Sequence, residues 1–221
     1  MQAKSEEVKT PSSPSTFDYR FKVLMMGDSA ADKFGIMKRY VDTGFQSQSQ
    51  TTSLGLDYMV KRLECEEKTV RLELWDTAGQ EMLDPERTGT TYYRNADGIC
   101  LVYDVMSRPS MTFIERWSKH IQKHAPKHIK WMLIGHDKTG LKEREVNYDE
   151  ASQFASSMGI SYFEVCAKDN LNIDEVFYEL TVQIKKAKDE DAAAEKNLFK
   201  NEPLPQKQKN STEGGKSCVI F

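Results

Sequence analysis

Short apolar runs alternate with longer amphipathic stretches along most of this 221-residue chain, and that alternation predicts a doubly wound α/β fold, a parallel sheet with helices on both faces. The first run is Tyr19-Arg20-Phe21-Lys22-Val23-Leu24-Met25-Met26. The runs 54–63 and 70–75 flank a polar turn around Glu66 and Glu67 and read as a hairpin. Three buried strands follow at 98–103, 130–135 and 162–165, each preceded by helix-like sequence, so a mostly parallel sheet of six strands is expected. In the last helix Ile173, Val176, Phe177, Leu180 and Ile184 recur at three- and four-residue steps, a face that should pack on the sheet.

The ends of the chain lack this pattern. Residues 1–18, with Pro11 and Pro14 among serines, carry too little apolar surface to fold alone and read as a flexible extension. The folded domain is expected over 19–187. Residues 188–221, with Pro203, Pro205, Gly214 and Gly215 among polar residues, read as a flexible tail. Lys and Arg total 31 against 34 Asp and Glu, so no basic excess exists to attract nucleic acid. Cys65, Cys100, Cys166 and Cys218 show no paired spacing, and the first three sit in strand-like surroundings where a buried thiol is ordinary; a reducing compartment and no cysteine metal site are expected. No stretch suits a signal peptide, and no run of about 18 apolar residues could span a bilayer.

Between the first strand and the next helical stretch lies Gly27-Asp28-Ser29-Ala30-Ala31-Asp32-Lys33-Phe34. The phosphate-loop pattern is Gly, four variable residues, Gly, Lys, then Ser or Thr, whose backbone N–H groups curl around phosphates. Gly27 and Lys33 match; Asp32 stands at the second glycine and Phe34 at the hydroxyl. A carboxylate about 4 Å from a phosphate charge costs roughly 4 kcal/mol at an effective dielectric of about 20, a penalty that Lys33 offsets in part. Phe34 removes the hydroxyl that would hold Mg²⁺, so metal-assisted binding should suffer most.

Further on stands Trp75-Asp76-Thr77-Ala78-Gly79-Gln80-Glu81. With Leu54-Gly55-Leu56-Asp57-Tyr58, Tyr92-Tyr93-Arg94-Asn95-Ala96 and Leu101-Val102-Tyr103-Asp104-Val105 in the same order, the chain resembles the Ras superfamily of small GTPases, most closely its Rab branch, over about residues 19–186. The resemblance implies the phosphate-loop small GTPase fold with GTP or GDP and Mg²⁺ as ligands. It assigns Asp76 and Ser53 to Mg²⁺, Gly79 to the γ-phosphate, Lys33 to the phosphates and Gln80 to orienting the attacking water. Ser53 stands where the family has threonine and keeps the hydroxyl. Tyr58, Trp75 and Tyr92 match the aromatic triad through which Rabs meet effectors. The segment 82–91, which contains Pro85, is about two residues longer than the usual spacing, so the second switch should rearrange differently.

The family reads guanine with Asn-Lys-x-Asp after the fifth strand. Here the ungapped register offers His136-Asp137-Lys138-Thr139 and the shifted one Asp137-Lys138-Thr139-Gly140; neither supplies the reading carboxylate, and Lys138 lies over the base in the shifted register. Losing that acceptor for two base donors, at about 1.5–3 kcal/mol each, implies roughly two to four decades of guanine affinity. Cys166-Ala167-Lys168 replaces the family's Ser-Ala-Lys and keeps Ala167, whose N–H would meet the guanine carbonyl oxygen.

The terminal Cys218-Val219-Ile220-Phe221 is a prenylation box whose final Phe favours geranylgeranylation of Cys218. One lipid gives only marginal anchoring, so a prenyl-binding chaperone should extract the protein easily. The expectation is a Rab-like regulator of vesicle transport on the cytoplasmic face of an internal membrane and partly in the cytosol. Its partners would be effectors, an exchange factor and a GTPase-activating protein. Two alternatives remain: a pseudo-GTPase binding module without a nucleotide cycle, and a cleft specific for another nucleotide.

Overall fold

The run Gly98–Asp104 is buried at every position, which only a strand covered on both faces allows. It lies in the interior of a doubly wound sheet. The computed structural model describes residues 17–42, 48–51, 57–77, 93, 95–139 and 144–200. In chain order these form β1 (Tyr19–Met26), a 3-10 turn (Ser29–Ala31), α1 (Lys33–Asp42), β2 (Gln48–Thr51), β3 (Asp57–Cys65), β4 (Lys68–Asp76), β5 (Gly98–Asp104), α2 (Arg108–His124), β6 (Lys130–His136), α3 (Tyr148–Met158), β7 (Ser161–Val165) and α4 (Ile173–Lys200).

The strands lie in the order β2-β3-β4-β1-β5-β6-β7. β1 runs parallel to β4 and β5, and β5, β6 and β7 continue in parallel; β3 is antiparallel to β2 and β4. The six strands expected from apolar periodicity all form. A seventh, β2, extends the sheet at its edge by pairing with β3. Its sequence, Gln-Ser-Gln-Thr, has no apolar alternation, so only backbone pairing to the open side of β3 reveals it.

Alternate residues of the central strands feed two separate cores. On one face Val23, Met25, Leu74 and Val102 meet Ile36, Met37 and Tyr40 of α1 and Val176, Phe177 and Leu180 of α4. On the other, Leu24, Met26, Leu101 and Leu133 meet Met111, Ile114, Trp117 and Ile121 of α2 and Ala151 and Ala155 of α3. The five periodic residues of α4 are each 1% exposed or less. Burying each such large side chain stabilises the fold by about 1.5–3 kcal/mol. The thiols of Cys65, Cys100 and Cys166 are buried and unoxidised, and burial pushes the Cys100 thiol well above its ordinary value. Among the described residues no helix is long and apolar enough to cross a membrane. The chain divides into the units Met1–Lys188 and Asp189–Phe221.

The β3–β4 hairpin closes through Glu66 and Glu67, with Cys65 paired to Lys68. Both glutamates have positive φ, 50° and 63°, the geometry of a two-residue turn that normally takes Asn-Gly. A non-glycine residue there costs about 1–2 kcal/mol, from which glycine's larger unfolded-state entropy subtracts up to about 1 kcal/mol. Glu67→Gly is therefore expected to raise stability by about 0.5–1 kcal/mol, read as a higher urea midpoint at unchanged slope.

Candidate nucleotide site

In open α/β sheets ligands bind beyond the carboxyl ends of the strands, where the order reverses. Here β1 lies between β4 and β5, and the ends of four strands carry predicted residues, with Asp104 at the end of a fifth beside them. Gly27 follows β1, Asp76 ends β4 opposite Met25, Asp104 ends β5, His136 ends β6 beside Asp104, and Cys166-Ala167-Lys168 follows β7.

The phosphate loop folds onto itself. Asp28 extends the chain from β1, and its carboxylate accepts from Ala31 N–H at 3.1 Å, closing the 3-10 turn over Ser29, Ala30 and Ala31. Asp32 then adopts φ 50° and ψ 52°. This is the left-handed conformation for which the motif uses glycine; aspartate tolerates it better than most residues because its short carboxylate bonds locally. Asp32 Oδ1 accepts from Gly35 N–H at 3.1 Å. The carboxylate thus sits on the N-terminus of α1, the place a phosphate would take, and is favoured there by the helix dipole. Lys33 opens α1 and is buried, its Nζ donating to Gly27 O at 2.5 Å and Asp28 O at 3.1 Å.

The loop is also braced from outside. Ser110 of α2 donates from Oγ to Asp28 Oδ1 at 3.0 Å. Lys138 Nζ donates to Ala30 O at 2.9 Å and pairs with Asp104 Oδ2 at 2.6 Å. His136 Nδ1 donates to Ala31 O at 2.9 Å, while its Nε2 accepts from Ala167 N–H at 3.3 Å. These two bonds define one neutral tautomer, and burial pushes the imidazole below its ordinary pKa against the opposing effect of the Ala31 bond. His136 and Lys138 thus both bond to the phosphate loop. Asp137 turns back on its own loop, accepting from Thr139 N and Oγ1 at 3.1 and 3.2 Å.

Between these elements opens a cleft of about 430 Å³ whose charged lining is Lys38, Arg39, Lys138 and Lys168 against Asp32 and Asp42. Four cations facing two carboxylates suit an anionic ligand. Arg39 holds the far wall, donating from Nε to Ala167 O at 2.6 Å and from Nη2 to Lys168 O at 3.2 Å.

Arg39, Asp104 and Ser110 were absent from the sequence-predicted set. Asp104 had a local signal, its place in the Leu101–Val105 segment at a strand's carboxyl end. Arg39 had none, because its carbonyl partners lie 128 and 129 residues away.

For Mg²⁺ the fit is partial. Asp76 is 7% exposed at the end of β4, but Phe34 is 44% exposed and offers only carbon where a hydroxyl is needed. The hydroxyl of Thr77 is committed to Met25 O at 2.9 Å. Ser53, Ala78, Gly79, Gln80, the segment 82–91, Tyr92 and Cys218 lie outside the described residues.

On the β3–β4 surface Tyr58 and Trp75 stand opposite each other in register. Their rings stack at 4.7 Å with 12° between planes, and Lys22 Nζ lies 4.5 Å from the Trp75 ring centre. Tyr93 turns inward, its hydroxyl 2.7 Å from His120 Nδ1 of α2.

A Gly-to-Lys loop between a central parallel strand and its helix, under strand ends that carry the base and metal motifs, defines the small GTPase fold of the phosphate-loop class. The Ras family model matches residues 22–186. The chain is 36% identical over 177 residues to the GTP-binding protein ypt2 of Schizosaccharomyces pombe, covering 80% of this chain and 86% of that one. It is 33% identical over 203 residues to ypt1 of the same yeast, covering 91% and 98%. It is 36% identical over 194 residues to the Ras-related protein Rab-8A of Gallus gallus, covering 87% and 89%. The chain belongs to the Ras family and to its Rab-like branch.

Proposed function

We propose that this protein is a Rab-like regulator of vesicle transport, held on the cytoplasmic face of an internal membrane through a prenylated Cys218 and working with weakened affinity for GTP, GDP and Mg²⁺. The observation that carries the weakening is the Asp32 carboxylate on Gly35 N–H: nucleotide must displace an internal anion and then sit beside it. Phe34 adds the loss of a metal ligand. In this reading Lys33 would contact the phosphates, Asp76 and Ser53 would hold Mg²⁺, Gly79 would meet the γ-phosphate, and Gln80 would orient water for a slow hydrolysis that an activating protein would speed. The stacked pair Tyr58 and Trp75, with Tyr92, faces effectors.

A second reading is favoured by the same two residues: a scaffold of this fold that presents its aromatic surface without any nucleotide cycle. The nucleotide content of gently purified protein, followed by titration with GTP, GDP and ATP in Mg²⁺ and in chelator, separates the two. Bound guanine nucleotide with Mg²⁺-dependent exchange supports the switch; an empty folded protein indifferent to all three supports the scaffold.

The tail reading makes its own prediction. Cys218→Ser is expected to shift the protein wholly to the soluble fraction when membranes are pelleted, since one prenyl chain is the anchor and the neighbouring lysines are scattered. Unchanged pelleting would exclude a lipid at that cysteine.

A further inference from the structure

We infer that His136 is a specificity-determining residue: it acts as an internal acceptor on the Ala167 N–H, the donor that would read the six-position oxygen of guanine, and so removes the cleft's preference for guanine over adenine nucleotides. The inference rests on the nucleotide-binding reading above and concerns which base the cleft accepts.

The geometry is that of a clamp. His136 is 1% exposed, with Nδ1 fixed on Ala31 O and Nε2 on Ala167 N. The loop that carries Ala167 is held on its other sides as well. Cys166 and Leu171 exchange both backbone hydrogen bonds, at 3.2 and 3.0 Å, and Arg39 grips the Ala167 and Lys168 carbonyls. The Ala167 amide therefore has no freedom to swing toward a ligand while the imidazole bond stands. A second loss acts in the same direction, because the nearest carboxylate in the base motif, Asp137, is folded onto Thr139. With one donor occupied and, among the described residues of the base motif, no free carboxylate for the ring N–H and amino group, neither edge feature that separates guanine from adenine is read there. What remains is charge, from Lys33 and the cationic lining of the cleft. The ligand class is thus a nucleoside diphosphate or triphosphate chosen by its phosphates.

The test is His136→Asn, whose shorter side chain keeps a polar group near Ala31 O and withdraws from Ala167 N. Affinities for GDP, IDP and ADP are measured side by side, in the parent and in an Asp32→Gly, Phe34→Ser background that opens the phosphate end. The parent should bind all three within about threefold, and the variant should gain about tenfold for GDP and IDP, which carry the six-position oxygen, with no gain for ADP; tenfold is one hydrogen bond of about 1.4 kcal/mol. A purely structural histidine would shift all three nucleotides alike, and that result, or a parent that already prefers GDP tenfold, overturns the inference. Nitrogen-15 spectroscopy of the imidazole decides the matter without nucleotide. A neutral ring with its proton on Nδ1 is expected, whereas a proton on Nε2 overturns the inference because that nitrogen then cannot accept. If no nucleotide binds even in the opened background, the proposed nucleotide-regulated function fails, and the imidazole spectrum still determines whether His136 occupies the Ala167 donor.

Discussion

Replacing Asp32 with glycine and Phe34 with serine is expected to raise Mg²⁺-dependent affinity for GTP by about a hundredfold. Repulsion between a carboxylate and a phosphate oxygen at about 4 Å is worth roughly 4 kcal/mol at an effective dielectric of about 20, nearly three decades. Lys33, the next residue, offsets part of it, which brings the expected gain to about two decades. The fold should tolerate the change. Losing the Asp32 cap on Gly35 N–H costs about 1 kcal/mol, while glycine at φ 50° recovers about as much from the left-handed conformation. The single variants separate the two causes. Asp32→Gly should help in chelator as well as in Mg²⁺, since it removes a charge, whereas Phe34→Ser should help only when Mg²⁺ is present, since it supplies a metal ligand. Isothermal titration of the four proteins reads this directly. A double variant no tighter than the parent would show that some other part of the site limits binding.

The second large effect concerns a residue that does match the motif. Gly27→Ala is expected to destabilise the protein by about 3 kcal/mol, the upper end of ordinary overpacking. A β-carbon at Gly27 would lie 2.1 Å from Val102 O and 3.1 Å from Val102 C. Val102 belongs to β5 and is paired to Ile134 of β6, so its carbonyl cannot retreat without breaking the sheet. For a protein of this size the loss corresponds to a melting temperature lower by about 6–12 °C. It should be the same with and without GTP, because the clash is between loop and strand. A melting temperature unchanged by Gly27→Ala would mean that the loop shifts freely off β5. The packing gives Gly27 a reason to be glycine that is independent of nucleotide, so its presence is no argument for an active phosphate site.

This separates two kinds of information in the chain. The alternation of apolar runs, the three- and four-residue periodicity of α4 and the Gly27–Lys33 loop between strand and helix are local patterns, each written in consecutive residues. Such patterns determine elements and their faces, because a strand alternates sides at every residue and a helix returns to one side after three or four. They determined six of the strands and the helices on both faces, while the small GTPase architecture came from the resemblance carried by Trp75–Glu81 and the segments that accompany it. They missed β2, whose polar side chains carry no period.

The candidate site was legible as a set of positions and illegible as a set of bonds. Sequence placed Asp32 as a repulsive charge, but that its carboxylate caps α1 depends on the positive φ that Asp32 itself adopts at the helix start. Sequence left two registers for His136 and Lys138 and gave no sign that both side chains bond to the phosphate loop, His136 at Ala31 and Lys138 at Ala30. Arg39 had no sequence signal because its partners arrive from after β7, more than a hundred residues on. The amino-acid sequence by itself determined the family, the fold and the identity of the altered positions, because these are carried by short-range order along the chain. Only the tertiary structure decided that the altered residues satisfy the cleft from within, because a hydrogen bond between the ends of different strands exists only once the sheet has set its register.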